Sequence, residues 1–441
     1  MRTSGTARIL ARLLVGLRVV AVIIALAVLV QVLRGEPLAL DRLFSSPPSI
    51  GSVITTSATD QEQSGPLGRR ELRFKLQELV AHDTMLAIRF MRSTIADDPA
   101  FVDAANAVLV RSADDVELAL ARALPAEDAS AFADGWAEYT QGLFAYATAL
   151  RDDDDAAREQ AREQLTASAA EQATLLSEIT DGSIEEDVAA TSLEMRGDLL
   201  LYQLDAYAGE DYDQAYELAH EAYGHSAAFA ATLAAGATGH DPHAVDVSAK
   251  EELRAELARV LGEHVELSTD TLRAGVTGSD DFSAAAGALD GNTRELSDIM
   301  ASALGGKRAR KPIKLWSEHV DQLLRYAIAV ADQDAATRRE LRDGLRATSE
   351  RIGRQLEKAT DHEINAIAVT EALRSQQLLQ LDQIDAYARG DYASAHDTAS
   401  TAHHRAAGLA KTLASGFMTI VRTRMPQGGA DTGGGGTAST P

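Results

Sequence analysis

Residues 135–152, GWAEYTQGLFAYATALRD, and residues 315–332, LWSEHVDQLLRYAIAVAD, are two versions of one pattern. Trp136 and Trp316, Tyr146 and Tyr326, and Asp152 and Asp332 are each separated by 180 positions, and these are the two tryptophans of the chain. In each version Trp, Tyr or His, Leu and Tyr fall at i, i+3, i+7 and i+10, one face of a helix. A second pair of stretches, ELRFKLQELVAHDTML from Glu71 and ELRAELARVLGEHVEL from Glu252, repeats at 181. The chain is therefore a tandem duplication, and whatever one copy folds into the other must approximate.

The pattern predicts an all-α architecture: two tandem homologous helical bundles of about six helices each. Copy one covers 69–236, a linker 237–248, and copy two 249–421. The junctions DAYAGEDY (Asp205 to Tyr212) and DAYARGDY (Asp385 to Tyr392) predict a left-handed helix end at Gly209 and Gly390, with Asp211 and Asp391 capping the next helix. Ser248 with Glu251, and Ser183 with Glu186, have capping-box spacing. Pro125 and Pro312 suit first helical turns. Each copy carries a full set of stripes and caps, so each is expected to fold by itself.

The ends set the compartment. Residues 13–33 are apolar except for Arg18 and Gln31, about the length that spans a bilayer. Arg2, Arg8, Arg12 and Arg18 flank or enter the run on its N-terminal side, which predicts a cytoplasmic tail at 1–12 and an exported bulk. With no small-residue cleavage site directly after it, the run reads as a retained single-pass anchor in the cell membrane rather than a cleaved signal. Residues 34–68 read as a flexible stalk and the Gly-rich 422–441 as a disordered tail.

A net charge of −24 argues against nucleic acid as a partner, because phosphate binding needs a basic face. The chain has no cysteine, which excludes disulfides, thiolate metal sites and cysteine nucleophiles. No nucleophile elbow, zincin motif or kinase set is present, so the reading is non-enzymatic. Lys307, Arg308, Arg310, Lys311 and Lys314 read as a solvated basic loop that could also dock on the cell envelope. His240 and His243 read as a solvated turn. Glu217 and His220 form one Glu-x-x-His unit where di-iron bundles need two, and read as surface.

Chemistry concentrates where the apolar stripes of the copies differ. His264, His319, His396 and His403 occupy core-facing positions of copy two, and their equivalents in copy one are Asp83, Tyr139, Tyr216 and Tyr223. Inward imidazoles from facing helices are how bundles bind metal, and copper or zinc suits imidazole without thiolate. His396 and His403, two turns apart, can hardly share one ion, which favours a three-ligand site or two neighbouring sites, with Glu318 and Glu371 as spare carboxylates. The competing reading is a hydrogen-bonded polar layer that fixes helix register, with no metal.

The Glu-His-Val element of 263–265, the Leu-Trp-x-x-His-Val helix of 315–320 and the Gly-Asp-Tyr junction of 390–392 before a His-rich last helix resemble one known group. These are tandem helical proteins of Gram-positive bacteria that often carry a copper amine oxidase-like label. The resemblance implies copper at His264 and His319 with His403 or His404; copy one departs from it at Asp83 and Tyr139. It does not imply oxidase activity, since the Asn-Tyr-Asp/Glu turn and β-rich domain of a quinone amine oxidase are missing. Three functions follow as expectations: a membrane-anchored extracytoplasmic metal binder, a scaffold or sensor contacting envelope partners, and a metal-dependent oxidoreductase.

Overall fold

The structure is a computed structural model that describes residues 68–242 and 247–424. The described residues form twelve α-helices and no strand. Copy one contributes α1 (Arg69–Ile95), α2 (Pro99–Leu120), α3 (Ala126–Arg151), α4 (Asp155–Ile179), α5 (Glu186–Ala208) and α6 (Tyr212–Ala237). Copy two contributes α7 (Ala249–Thr277), α8 (Phe282–Leu304), α9 (Gly306–Ala331), α10 (Ala335–Ala359), α11 (Ala366–Ala388) and α12 (Tyr392–Arg424). The apolar run at 13–33, the stalk up to 67, His243 and the tail from 425 lie outside the described residues. Among the described residues no helix is long and apolar enough to cross a membrane.

Helix ends follow local chemistry, with three departures from the sequence reading. Ser248 and Glu251 complete the capping box of α7, and Asp211 accepts the backbone N–H of Gln214, as Asp391 accepts that of Ser394. Ser183, by contrast, does not cap α5: that helix starts after Glu185. The left-handed residue before Asp211 is Glu210, not Gly209, whereas copy two places Gly390 there. The two glycines are one register apart in the repeat, which is why a shared role failed. The basic stretch is helix rather than loop: Gly305 turns the chain with positive φ, α9 starts at Gly306, and Pro312 lies inside it. Arg308 is drawn into that helix start by Ala359 O at 3.2 Å and Asp361 Oδ2 at 2.6 Å.

Packing repeats with the sequence. In copy one α1 packs on α6 and α2, and α3–α4–α5–α6 pack in succession; in copy two α7 does the same with α12 and α8, and α9–α10–α11–α12 follow suit. The copies also meet each other, α1 against α7, α12 against α2 and α6 against α8. These cross-contacts are reciprocal, as a two-fold-like relation demands. Equivalent positions touch at both ends of the α1–α7 contact: Arg70 with Glu251, and Arg89 with Asp270. Nineteen residues of helix, roughly 28 Å, separate those two pairs. The two helices therefore run parallel beside the pseudo-two-fold axis. They are wrapped on all sides, so residues 79–89 and 260–272 are buried without interruption. All described residues fall in one compact unit that includes both copies.

Candidate metal centre

The wrapped helices carry charge into the core, and that charge is paired across the copies. Arg89 on α1 reaches Glu266 Oε2 at 2.6 Å and Asp270 Oδ1 at 2.6 Å on α7, and donates from Nη2 to the backbone oxygen of Glu266 at 2.8 Å. All three side chains are buried. Burial pushes the Glu266 carboxyl up, but Arg89, His82 and His403 together hold it well below the usual carboxylate range.

Glu266 Oε1 is the point on which two imidazoles converge. His82 of α1 places Nδ1 2.6 Å away, and His403 of α12 places Nδ1 2.7 Å away. The two rings stack with centres 4.4 Å apart. His82 hydrogen-bonds to that oxygen, while His403 Nδ1 approaches without hydrogen-bond alignment. Outward, His82 Nε2 meets Ser400 Oγ at 2.9 Å and His403 Nε2 meets Glu78 O at 3.2 Å. His404, next along α12, holds Glu78 Oε1 at 2.6 Å. Burial lowers His82 to about 4 against the pull of Glu266. For His403 the carboxylates win over burial, and its pKa is raised.

This arrangement has the donor atoms to hold a cation at its centre. Arg89 is shared between two carboxylates, Glu266 and Asp270, and the neighbouring Arg273, paired with Asp281, also acts on Asp270. If each ring donates Nε2–H outward, to Ser400 and to Glu78 O, two Nδ1 lone pairs and a carboxylate oxygen face one point. Such outer partners are what hold a metal-bound histidine in its tautomer. Either a proton or a metal ion fills that point. The donor set of two imidazoles and one carboxylate fits zinc or copper. Donors around a tetrahedral ion with bonds of about 2.0–2.1 Å stand roughly 3.3 Å apart, so an entering ion must widen the 2.6 and 2.7 Å spacings by roughly 0.6–0.7 Å. Among the described residues this is the one group of three His or carboxylate side chains whose donor atoms lie within 4.8 Å of one another.

The four histidines singled out by the stripes are all buried, at 3%, 2%, 0% and 2% exposure for His264, His319, His396 and His403. They occupy three places. His264 and His319 are neighbours with ring centres 6.2 Å apart. His396 packs edge-on against Phe101 of copy one at 4.7 Å, with no hydrogen bond on either nitrogen. His403 alone joins the three-residue group. Glu318 is taken up by Arg351 at 2.7 Å. His220 is exposed at the surface, as the sequence predicts, and its Nδ1 reaches in to the buried Glu263 Oε1 at 2.6 Å.

Stripe reasoning missed His82 and Glu266, because both lie off the apolar face of helices that are buried all round in their middle turns. One signal was available: opposite charge at equivalent positions. Arg70 and Glu251, and Arg89 and Asp270, are such pairs, and His82 corresponds to Glu263. No protein family, no curated protein and no solved structure matches this chain.

Proposed function

We propose that the protein is a membrane-anchored, extracytoplasmic metal-binding protein made of two homologous helical bundles, with one zinc or copper ion held between the copies by His82, Glu266 and His403. The anchoring rests on the arginine-flanked apolar run at 13–33. The metal reading rests on one observation: two buried Nδ1 atoms converge on one buried carboxylate oxygen. Ligation displaces the proton of His403, so affinity rises with pH through the raised pKa of that group.

The test is calorimetric titration of the full chain with zinc and with copper(II), together with metal content after dialysis. One ion per chain is expected, with proton release. His403→Tyr, which installs the copy-one residue, and His82→Gln should each remove that uptake while leaving the helical circular dichroism intact. Weak uptake that persists in both variants and fades with salt would sink the reading, since an acidic surface alone gives that result.

The hydrogen-bond spacing of the cluster favours a second reading, an interaction scaffold in which a proton on His403 clamps the copies together. The same titration then yields no uptake, and both variants loosen the contact between the copies.

A further inference from the structure

A cavity of about 210 Å³ lies beside the copy-two tryptophan, lined by Leu261, His264, Trp316, His319, Gln376 and Arg405 among others. Its walls are mainly apolar, yet buried polar atoms without a hydrogen-bond partner belong to three of these side chains: both ring nitrogens of His264, Trp316 Nε1 and Gln376 Nε2. Asn292 approaches the His264 ring, short of hydrogen-bond geometry. Buried polar groups are ordinarily satisfied, so a cluster of unpartnered ones around one hollow needs an explanation.

The repeat supplies it. The equivalents of His264, Trp316, His319 and Gln376 are Asp83, Trp136, Tyr139 and Arg196. In copy one Trp136 Nε1 donates to Asp83 Oδ2 at 3.1 Å, and Arg196 Nη2 donates to the same oxygen at 3.2 Å. The flat guanidinium of Arg196 lies 4.5 Å from the Trp136 ring centre and 5.4 Å from that of Tyr139. Copy two keeps the tryptophan, shortens the arginine to Gln376 and removes the carboxylate. The space that Arg196 fills in copy one is thus left open in copy two, with the indole N–H facing no acceptor.

We propose that this cavity binds a small, planar, uncharged aromatic nitrogen heterocycle, seated against Trp316 where copy one carries the guanidinium of Arg196. Planarity follows from the indole face that Arg196 covers in copy one. The ring must offer an acceptor, because Trp316 Nε1–H and the Gln376 amide are donors in want of one. It must be uncharged, because the walls are mainly apolar and no carboxylate lines the cavity to match a cation. The sole charged lining group is Arg405, exposed at the rim and engaged by Ser375 Oγ. Size is consistent: an apolar protein cavity of about 150 Å³ holds benzene, so this one takes a fused bicycle.

The chain's two tryptophans make the test direct. With ¹⁵N-tryptophan label, the full chain gives two indole N–H signals, assigned by Trp316→Phe. Benzimidazole should shift the Trp316 signal saturably and leave that of Trp136 in place, while indene, the same shape without polar atoms, binds at least tenfold more weakly. His264→Asp with Gln376→Arg, which installs the copy-one filling, should abolish the shift. Ala372→Phe, which fills the cavity from an apolar wall, should do the same and serves if the first variant fails to fold. Equal movement of both indole signals, or none at millimolar benzimidazole, overturns the proposal. So does a Trp316 shift produced by zinc and not by benzimidazole, which would make His264 and His319 metal ligands.

Discussion

At the same place in the repeat, copy one buries an ion pair and copy two buries neutral rings. Asp83, Arg196 and Trp136 interlock with their charges matched. His264, Gln376 and Trp316 stand around a hollow. The neighbouring layer changed in step. Tyr139 donates to Leu193 O at 2.9 Å, passing over Gly197, where a Cβ would come within 3.0 Å of its hydroxyl. In copy two the shorter His319 leaves room, and Gln377, at the position of Gly197, fills it with a hydrogen bond to His319 Nδ1 at 2.9 Å. Length lost on one helix is regained on the facing one, so the helices keep their spacing while the chemistry between them differs. The difference teaches that a duplicated core can exchange charge for neutral polarity in one layer without altering the fold around it.

The strongest challenge to this comparison erases a difference between the copies where they touch. Arg89 and Asp270 are equivalent residues of opposite sign, and Glu266 shares the arginine. Arg89→Asp would set three buried carboxylates together without the arginine that Glu266 and Asp270 share and should cost about 5 kcal/mol, the upper range for breaking a buried pair. The reciprocal double change, Arg89→Asp with Asp270→Arg, should recover part of that loss, because the pair is remade across the pseudo-two-fold. Denaturant midpoints measure both; equal destabilisation by the single and double variants would show that the pairing is incidental. The same contact predicts that a chain cleaved between His240 and Ser248 still elutes as one complex.

Next in size is the copy-one ion pair. Arg196→Gln leaves Asp83 buried with only Trp136 as a donor and should cost about 3–5 kcal/mol. Adding Asp83→His makes the layer resemble copy two and should return much of the loss, since the unpaired charge is gone. A cost below about 1 kcal/mol for the single change would mean that Asp83 is already neutral in the fold, a state toward which burial pushes it.

How much of this was visible in the letters depends on which neighbours a residue has. Helix number, the Trp faces and the burial of His319, His396 and His403 follow from one-face periodicity, because α3, α6, α9 and α12 each bury one side, and the capping box at Ser248 follows from its spacing. Periodicity could not find His82 or Glu266, since α1 and α7 are buried all round and every position of their middle turns is a core position. It also could not show that the hollow beside Trp316 exists, because that depends on Arg196 against Gln376, a pair on a different helix from the tryptophan. The interlocking of the copies was equally hidden: each copy's own stripes are complete, and the cross-contact is made by charged residues that a single-copy reading assigns to solvent.

Acid should separate the copies more gently. Burial lowers His82 and His264 to about 4 and His319 and His396 to about 3. These rings are neutral in the fold and take up protons near 6.5 once unfolded, so stability falls as pH drops from about 6.5 toward 4, by up to ~1.4 kcal/mol per group per pH unit. His403 works the other way: its raised pKa stabilises at low pH and the contribution fades as pH rises through it. Three of the five histidines lowered by burial belong to copy two; His82 and His225 belong to copy one. Amide exchange at pH 5 against pH 7 should therefore show protection lost first in α9 and α12, with α3, which carries no histidine, holding. Uniform loss across both copies would tie acid sensitivity to the shared interface instead.

The smallest effect is at the two helix starts beside the axis. Copy two opens α7 with a complete box, in which Ser248 and Glu251 satisfy each other's backbone N–H groups. Copy one opens α1 at Gly68, an extended residue with no side chain to offer, although Glu71 already stands at the matching third position. Ser248→Ala should cost about 1 kcal/mol. Gly68→Ser should gain a few tenths of a kcal/mol, because φ of −67° and ψ of 155° suit serine without strain and the nearest atom to an added Cβ is Glu71 Oε2 at 3.9 Å. Amide exchange of the first turn of each helix reads both changes. Gly68→Ser should slow exchange at Glu71, the third residue of α1, toward the rate at Glu251 in copy two. If it leaves that rate unchanged, the Arg70–Glu251 contact, rather than the cap, orders these helix starts.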